Sequence, residues 1–120
     1  YHRVGSFSTS SGYEMMNQLI NENREQLPTF LFAENDAIAI GALRALQEAD
    51  IAVPNQISVV GFNDSKVAKY VYPPLSSIRV DTREMGRTGV SLLLDRIAYP
   101  RKISKKISLS TEWIKRASTK

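Results

Sequence analysis

The sequence predicts an α/β fold with a parallel β-sheet flanked by helices. Three observations support this prediction: short apolar runs at 29–33 and 57–62, an amphipathic pattern between them, and a polar corner after each run. Continuous apolar runs of this length are typical of strands that are buried on both faces of a parallel sheet. The 120 residues, 42% of them hydrophobic and 23% charged, suffice for one domain or subdomain.

Two helices are predicted in the N-terminal half. Ser11 and Glu14 have the spacing of a capping box, and an apolar stripe continues from there toward Asn23. A second helix is predicted over 36–49, with Asn35 or Asp36 as its cap. Its apolar residues recur at helical spacing: Ala39, Ala42, Leu43, Leu46 and Ala49.

The C-terminal half is predicted to contain an extended run, a long helix and a final strand. Two prolines lead into the extended run 75–80, after which Asp81 or Thr82 can cap the helix. The helix has a wide apolar stripe that needs cover from a packed layer: Met85, Gly89, Val90, Leu92, Leu93, Leu94 and Ile97. A basic loop, 100–106, separates it from alternating residues 107–114, which predict a half-exposed strand.

Composition narrows the class of protein. The net charge is +4, with the positive residues concentrated near the C-terminus, where a solvated face is favoured over a nucleic-acid site. The absence of cysteine removes disulfides and thiolate chemistry and fits a reducing cytoplasm. No apolar run approaches the roughly 18 to 20 residues that span a bilayer, and no signal-peptide pattern begins the sequence. We therefore expect a cytoplasmic protein without a membrane partner.

The residues that follow the predicted strands are candidates for ligand contacts, because parallel α/β sheets bind ligands beyond the carboxyl ends of their strands. Asn35 and Asn63 offer both donors and acceptors, which suits sugar hydroxyls, although each could simply cap a helix or form a turn. Phe7 is an isolated aromatic residue among small polar ones. It either fills the core or stacks on the apolar face of a sugar ring.

Catalytic interpretations find less support. Glu34, Asp36 and Asp64 could bind Mg²⁺ for phosphoryl chemistry, but residues 86–89 form neither a Walker loop nor a dinucleotide fingerprint. The single histidine, His2, lies at the terminus, and no serine occupies a nucleophile elbow. We therefore predict a binding protein rather than an enzyme, with no catalytic residue, metal ion or cofactor.

Several long motifs in series carry a family resemblance. The segment 32–46, FAENDAIAIGALRAL, resembles the "AND…A.GA..AL" segment of LacI/GalR-family repressors. Residues 53–64, VPNQISVVGFND, resemble the family's "VP.DISVVGFDD", and 73–78, PPLSSI, its "PPLTT(I/V)". Glu84-Met85-Gly86 and Leu109-Ser110-Thr111-Glu112 match in order and spacing. The resemblance covers nearly the whole chain.

The resemblance implies a periplasmic-binding-protein-like fold, in which two α/β subdomains enclose a sugar cleft. By this resemblance the chain is a partial domain, the C-terminal part of the sugar-binding and dimerisation domain, with 1–80 and 107–120 in the C-terminal subdomain. The helix within 81–99 would pack on an N-terminal subdomain that is absent here, as is the helix-turn-helix that contacts operator DNA. The apolar stripe of the helix within 81–99 would then stay exposed to water, at a cost of roughly 25 cal/mol per Å² of apolar surface. The fragment should therefore dimerise, swap or rearrange to cover it.

The resemblance also implies roles for individual residues. The effector contacts fall on Phe7, Asn35 and Asn63, and the ligand would be a sugar whose binding alters operator affinity. Many members have Asp where this chain has Asn63, whose neutral amide is a weaker acceptor for sugar hydroxyls. Asn at this position resembles the galactoside- and oligosaccharide-responsive members of the family, which implies a ligand of that kind. Homodimers would pair through Ile40, Leu43 and Val71, with core burial as the alternative for all three. An exported sugar-binding protein of an ABC transporter remains the chief rival.

Overall fold

The structure, a computed structural model, describes residues 1–23 and 26–120 and shows the predicted alternation of helices and strands. The elements are α1 (Thr9–Asn23), β1 (Phe30–Phe32), α2 (Asp36–Glu48), β2 (Ser58–Asn63), β3 (Ser76–Arg79), α3 (Thr82–Ala98) and β4 (Glu112–Ile114). The α/β class is confirmed, and the predicted bounds of α2 and of the first three strands hold to within one or two residues.

The strands form one sheet in the order β1-β2-β3-β4. The first three strands run parallel, and β4 returns antiparallel to β3. Their register places Asn63, the last residue of β2, opposite Arg79, the last residue of β3. The carboxyl ends of these strands therefore meet at one edge of the sheet, called the carboxyl edge below.

The core lies between the two N-terminal helices and the sheet. A Cβ atom on Gly41 would collide with the backbone of α1 at Thr9 and Tyr13, so this glycine allows the helices to approach closely. The buried apolar cluster joins α1, α2, β2 and the segment before β3, and includes Met16, Leu19, Ile20, Ala39, Leu46, Ile57, Val59, Ala68 and Leu75.

Three expectations about local structure need correction. The capping box at Ser11 is wrong, because α1 begins at Thr9 and the Ser8 hydroxyl accepts the backbone N–H of Ser11 at 3.1 Å. The final strand is shorter than 107–114, because its pairing with β3 begins only at Glu112. Burial of β1 on both faces is also wrong: Phe30 is 54% exposed and Phe32 51% exposed, since no layer of the described chain covers their face of the sheet.

Helix α3 contributes nothing to the core. The Asp81 side chain caps it by accepting the Glu84 N–H at 2.9 Å, yet no residue of this helix is buried. The described chain is elongated, 59 × 25 × 21 Å, and exposes 8342 Å², against about 6,500 Å² for a compact protein of this mass. Among the residues described, no helix is long and apolar enough to cross a bilayer.

Candidate ligand-binding site

Asn35 follows β1 and caps α2. Its backbone is extended, with φ −152° and ψ 167°, and its Oδ1 accepts the N–H of Ile38 at 2.8 Å. The cap satisfies one of the free N–H groups of the first helical turn and fixes the side chain. Because only the oxygen takes part, the NH₂ group of this half-buried residue is left to donate to a ligand.

Asn63 ends β2 with an exposed side chain. Its φ of 92° lies in the left-handed region, and the next residue, Asp64, follows with a φ of 50°. Residues other than glycine rarely adopt this conformation, and asparagine and aspartate tolerate it better than most. Asn63 is thus presented on a sharp backbone turn at the carboxyl edge.

Phe7 precedes α1 and is 68% exposed. The interpretation of Phe7 as a core-filling residue is therefore wrong for this chain. An exposed ring on the approach to a helix is available for stacking, which keeps the second interpretation open.

Asp36 is buried and holds the carboxyl edge together. Its Oδ1 accepts the Ser77 hydroxyl at 2.6 Å, and its Oδ2 accepts the Ser65 N–H at 2.5 Å. Gly61 lies against this carboxylate, and a Cβ atom there would overlap Oδ1. The hydrogen bonds connect the start of α2 to β3 and to the loop after β2.

Asp64 is held by two arginines. Its Oδ2 receives the Arg79 guanidinium at 2.7 Å and its Oδ1 the Arg116 guanidinium at 2.6 Å. Arg79 also pairs with Glu112 at 3.0 Å. Burial raises the pKa of Asp64, but the hydrogen bonds from Arg116 and Arg79 outweigh it, so the pKa lies below its ordinary value.

The geometry does not favour the Mg²⁺ alternative. Both oxygens of Asp36 accept protein hydrogen bonds, and both oxygens of Asp64 face arginines, while Glu34 is exposed. Within residues 1–23 and 26–120 no group of three His, Cys, Asp or Glu side chains could hold a metal ion. The edge offers amide groups and compensated charges, which suit a polyhydroxylated neutral molecule.

Ser77, Arg79 and Arg116 organise this edge, although no sequence pattern singles them out. Arg79 could have been suspected, since it lies near the end of the predicted extended run 75–80 and is the last residue of β3. Arg116 lies 52 residues from its partner Asp64, and no local pattern signals that pairing.

The residues predicted for a dimer interface are not equally accessible. Leu43 is 4% exposed and belongs to the core, whereas Ile40 and Val71 are half-buried. Two exposed tyrosines, Tyr70 and Tyr72, flank Val71.

Residues 1–119 match the family of periplasmic binding protein-like domains. The chain belongs to this family. Within it, the chain is 46% identical over 97% of its length to the HTH-type transcriptional regulator GalR of Lacticaseibacillus casei, and 48% identical over 98% to GalR of Streptococcus thermophilus. It spans about a third of these curated relatives, 35% of each.

Solved structures show the same likeness. A lac repressor dimer bound to operator and the anti-inducer ONPF matches 96% of this chain and 39% of that one, with a TM-score of 0.87 at 34% identity. A CelR–cellobiose complex matches 95% of this chain and 34% of that one, with a TM-score of 0.86 at 33% identity. The resemblance to LacI/GalR-type regulators is therefore confirmed. These relatives are transcriptional regulators, which favours that class over a transport protein or an enzyme.

Proposed function

We propose that this chain is the effector-sensing and dimerising portion of a sugar-responsive transcriptional regulator that acts in the cytoplasm and catalyses no reaction. One observation carries the proposal. Asn35 follows β1 and Asn63 ends β2, and these two strands are parallel neighbours. Both amides therefore lie at the carboxyl edge, where α/β sheets bind ligands. The GalR relatives and the sugar-bound structural neighbour support the same function.

The edge would form one wall of a sugar cleft. The NH₂ group of Asn35 donates to a sugar hydroxyl, the amide of Asn63 both donates and accepts, and the Phe7 ring stacks on the apolar face of the sugar. The opposite wall comes from an N-terminal subdomain outside residues 1–120, on which the exposed stripe of α3 packs. Residues 1–80 and 107–120 make up the C-terminal subdomain.

The charge arrangement supports a neutral ligand. The two arginines that organise the carboxyl edge, Arg79 and Arg116, are paired with Asp64 and Glu112. Their charges are therefore already compensated within the protein, and a galactoside or neutral oligosaccharide fits this arrangement better than a phosphosugar.

Sugar binding would shift a conformational equilibrium. A ligand held between two subdomains favours the closed arrangement by as much as its affinities for the two states differ. In a homodimer this closure repositions the helix-turn-helix headpieces and changes operator affinity. Ile40 and Val71, together with the exposed Tyr70 and Tyr72, form the proposed dimer surface, whereas Leu43 packs in the core.

Calorimetric titration of the full-length regulator with galactose, lactose, raffinose and a phosphosugar tests the proposal. We expect one neutral sugar to bind, and Asn63→Ala or Phe7→Ala to weaken it by about tenfold, the loss of one hydrogen bond or one stacking contact. Asn55→Ala is the matched control. This exposed asparagine precedes β2 and so lies at the amino-terminal ends of the strands, away from the carboxyl edge. If neither Asn63→Ala nor Phe7→Ala changed the affinity for any sugar, the assignment of the site would be wrong.

A further inference from the structure

The backbone conformation of Asn63 is one that its surroundings must stabilise. Asn63 and Asp64 are consecutive residues with φ of 92° and 50°, and neither is glycine. A left-handed backbone at two such positions persists only where the surrounding structure fixes it. The orientation of the Asn63 side chain therefore depends on the contacts made by its neighbour.

Those contacts converge on Asp64 from three directions. Its N–H donates to the Ser77 hydroxyl at 3.0 Å, and its carboxylate lies between the guanidinium groups of Arg79 and Arg116. The Asp64 side chain is 7% exposed. It is thus fixed in place at both its backbone and its carboxylate.

Arg116 is the more firmly held of the two arginines. One of its terminal nitrogens donates to the Leu75 carbonyl at 2.7 Å while the other donates to Asp64, and its backbone N–H donates to the Ser76 hydroxyl at 2.8 Å. The Arg116 side chain is 17% exposed, whereas that of Arg79 is 46% exposed. Arg116 therefore ties the turn after β2 to the chain just before β3.

We propose that Arg116 is a positioning residue for sugar binding, which acts through Asp64 to hold Asn63 in its ligand-binding orientation. The inference rests on the proposed function, because it assigns Arg116 a role in the same site. The guanidinium bridges the Leu75 carbonyl and the Asp64 carboxylate with two separate nitrogens, which the single nitrogen of a lysine could not do in this geometry. Arg116 itself need not touch the sugar.

A double-mutant cycle on the full-length regulator separates positioning from general stabilisation. We expect Arg116→Met to weaken sugar binding about tenfold in the wild-type background and less than about twofold in an Asn63→Ala background, because the effect passes through Asn63. Arg44→Met is the control: Arg44 makes an exposed ion pair with Glu48 on α2 and should leave sugar affinity unchanged. Equal losses in both Asn63 backgrounds, or no loss in either, would overturn the inference.

Two further measurements keep the outcomes distinct. Should Arg116→Met fail to fold, Arg79→Met replaces it in the cycle and is judged by the same criterion, because it removes the other partner of Asp64. Should the wild-type protein bind no sugar, the proposed function fails and amide hydrogen exchange decides the positioning. Faster exchange of a peptide covering 62–65 in Arg116→Met, but not in Arg44→Met, supports it, and unchanged exchange refutes it.

Discussion

The carboxylate of Asp36 and the hydroxyl of Ser77, 41 residues apart in sequence, are joined by a buried hydrogen bond of 2.6 Å. Through it the first turn of α2 is connected directly to β3, across the intervening strand β2. Asp36 is 2% exposed, and its second oxygen accepts the Ser65 N–H. The carboxyl edge is thus organised by one buried acid with two protein donors.

Replacing Asp36 with asparagine should destabilise the protein. The amide turns one of the two acceptors into a donor that faces another donor, and an unsatisfied buried polar group costs about 1–3 kcal/mol. Asp50→Asn provides the control, because Asp50 is exposed and asparagine tolerates its φ of 57°. Urea unfolding of both variants measures the difference, and equal midpoints would contradict the role given to Asp36.

Gly61→Ala should also be destabilising. The added Cβ would overlap Asp36 Oδ1 and lie 3.0 Å from a Leu75 methyl group, so the buried carboxylate has to move. Overpacking of this kind costs about 1–3 kcal/mol. Gly86→Ala in the same 120-residue chain has open space for its Cβ and should be neutral or stabilising by up to about 1 kcal/mol. Thermal unfolding distinguishes the two, and a Gly61→Ala variant as stable as Gly86→Ala would show that the edge repacks freely.

Acid should weaken the ion pairs of Asp64. Its pKa is lower in the folded chain than in the unfolded chain, so the stabilisation is complete above the unfolded value near 4 and is lost as pH falls through the folded value. The free energy of unfolding should therefore decline below about pH 4, and more shallowly in Asp64→Asn than in the wild type. Denaturant titrations at pH values from about 2.5 to about 6, spaced by about one unit, measure this decline in the free energy of unfolding. Identical slopes would mean that the arginines do not hold Asp64 in solution.

The 120-residue chain should self-associate. Met85, Val90, Leu93, Leu94 and Ile97 of α3 are each more than half exposed, and apolar surface of this extent favours association. Sedimentation velocity at increasing concentration should show dimers or larger species. Leu93→Glu with Ile97→Glu should shift the distribution toward monomer, whereas Arg96→Glu, on the same helix, should not. A monodisperse wild-type monomer at high concentration would contradict the prediction.

Local features of the fold were predictable because short-range physics decides them. The amphipathic spacing of α2 and its cap at Asn35 depend on residues within one or two turns of each other. The predictions were wrong where another nearby residue can make the same cap, or where a strand distant in sequence determines the extent of pairing. Ser8 caps α1 instead of Ser11, and β4 extends only as far as β3 offers it a partner.

The placement of the candidate residues was predictable, but the contacts that support them were not. Asn35 and Asn63 lie at the carboxyl edge, as expected for polar residues that follow parallel strands. The sequence predicts Asp36 as a helix cap or a metal ligand, whereas its buried carboxylate accepts a hydrogen bond from Ser77. Such pairings are invisible in sequence because any of several serines or arginines could supply the donor, and only the sheet register selects among them.

The chain leaves the sheet for α3 through β3 and returns through β4, and the Arg79–Glu112 ion pair joins the two strands at that crossing. Helix α3, with 17 residues at 1.5 Å per residue, extends about 25 Å from Thr82, just after the strand whose last residue, Arg79, pairs with Asn63. A rotation of this helix by about 5° about its first turn would move its far end by about 2 Å. A small change in backbone angle at the end of β3 would therefore be amplified along the helix.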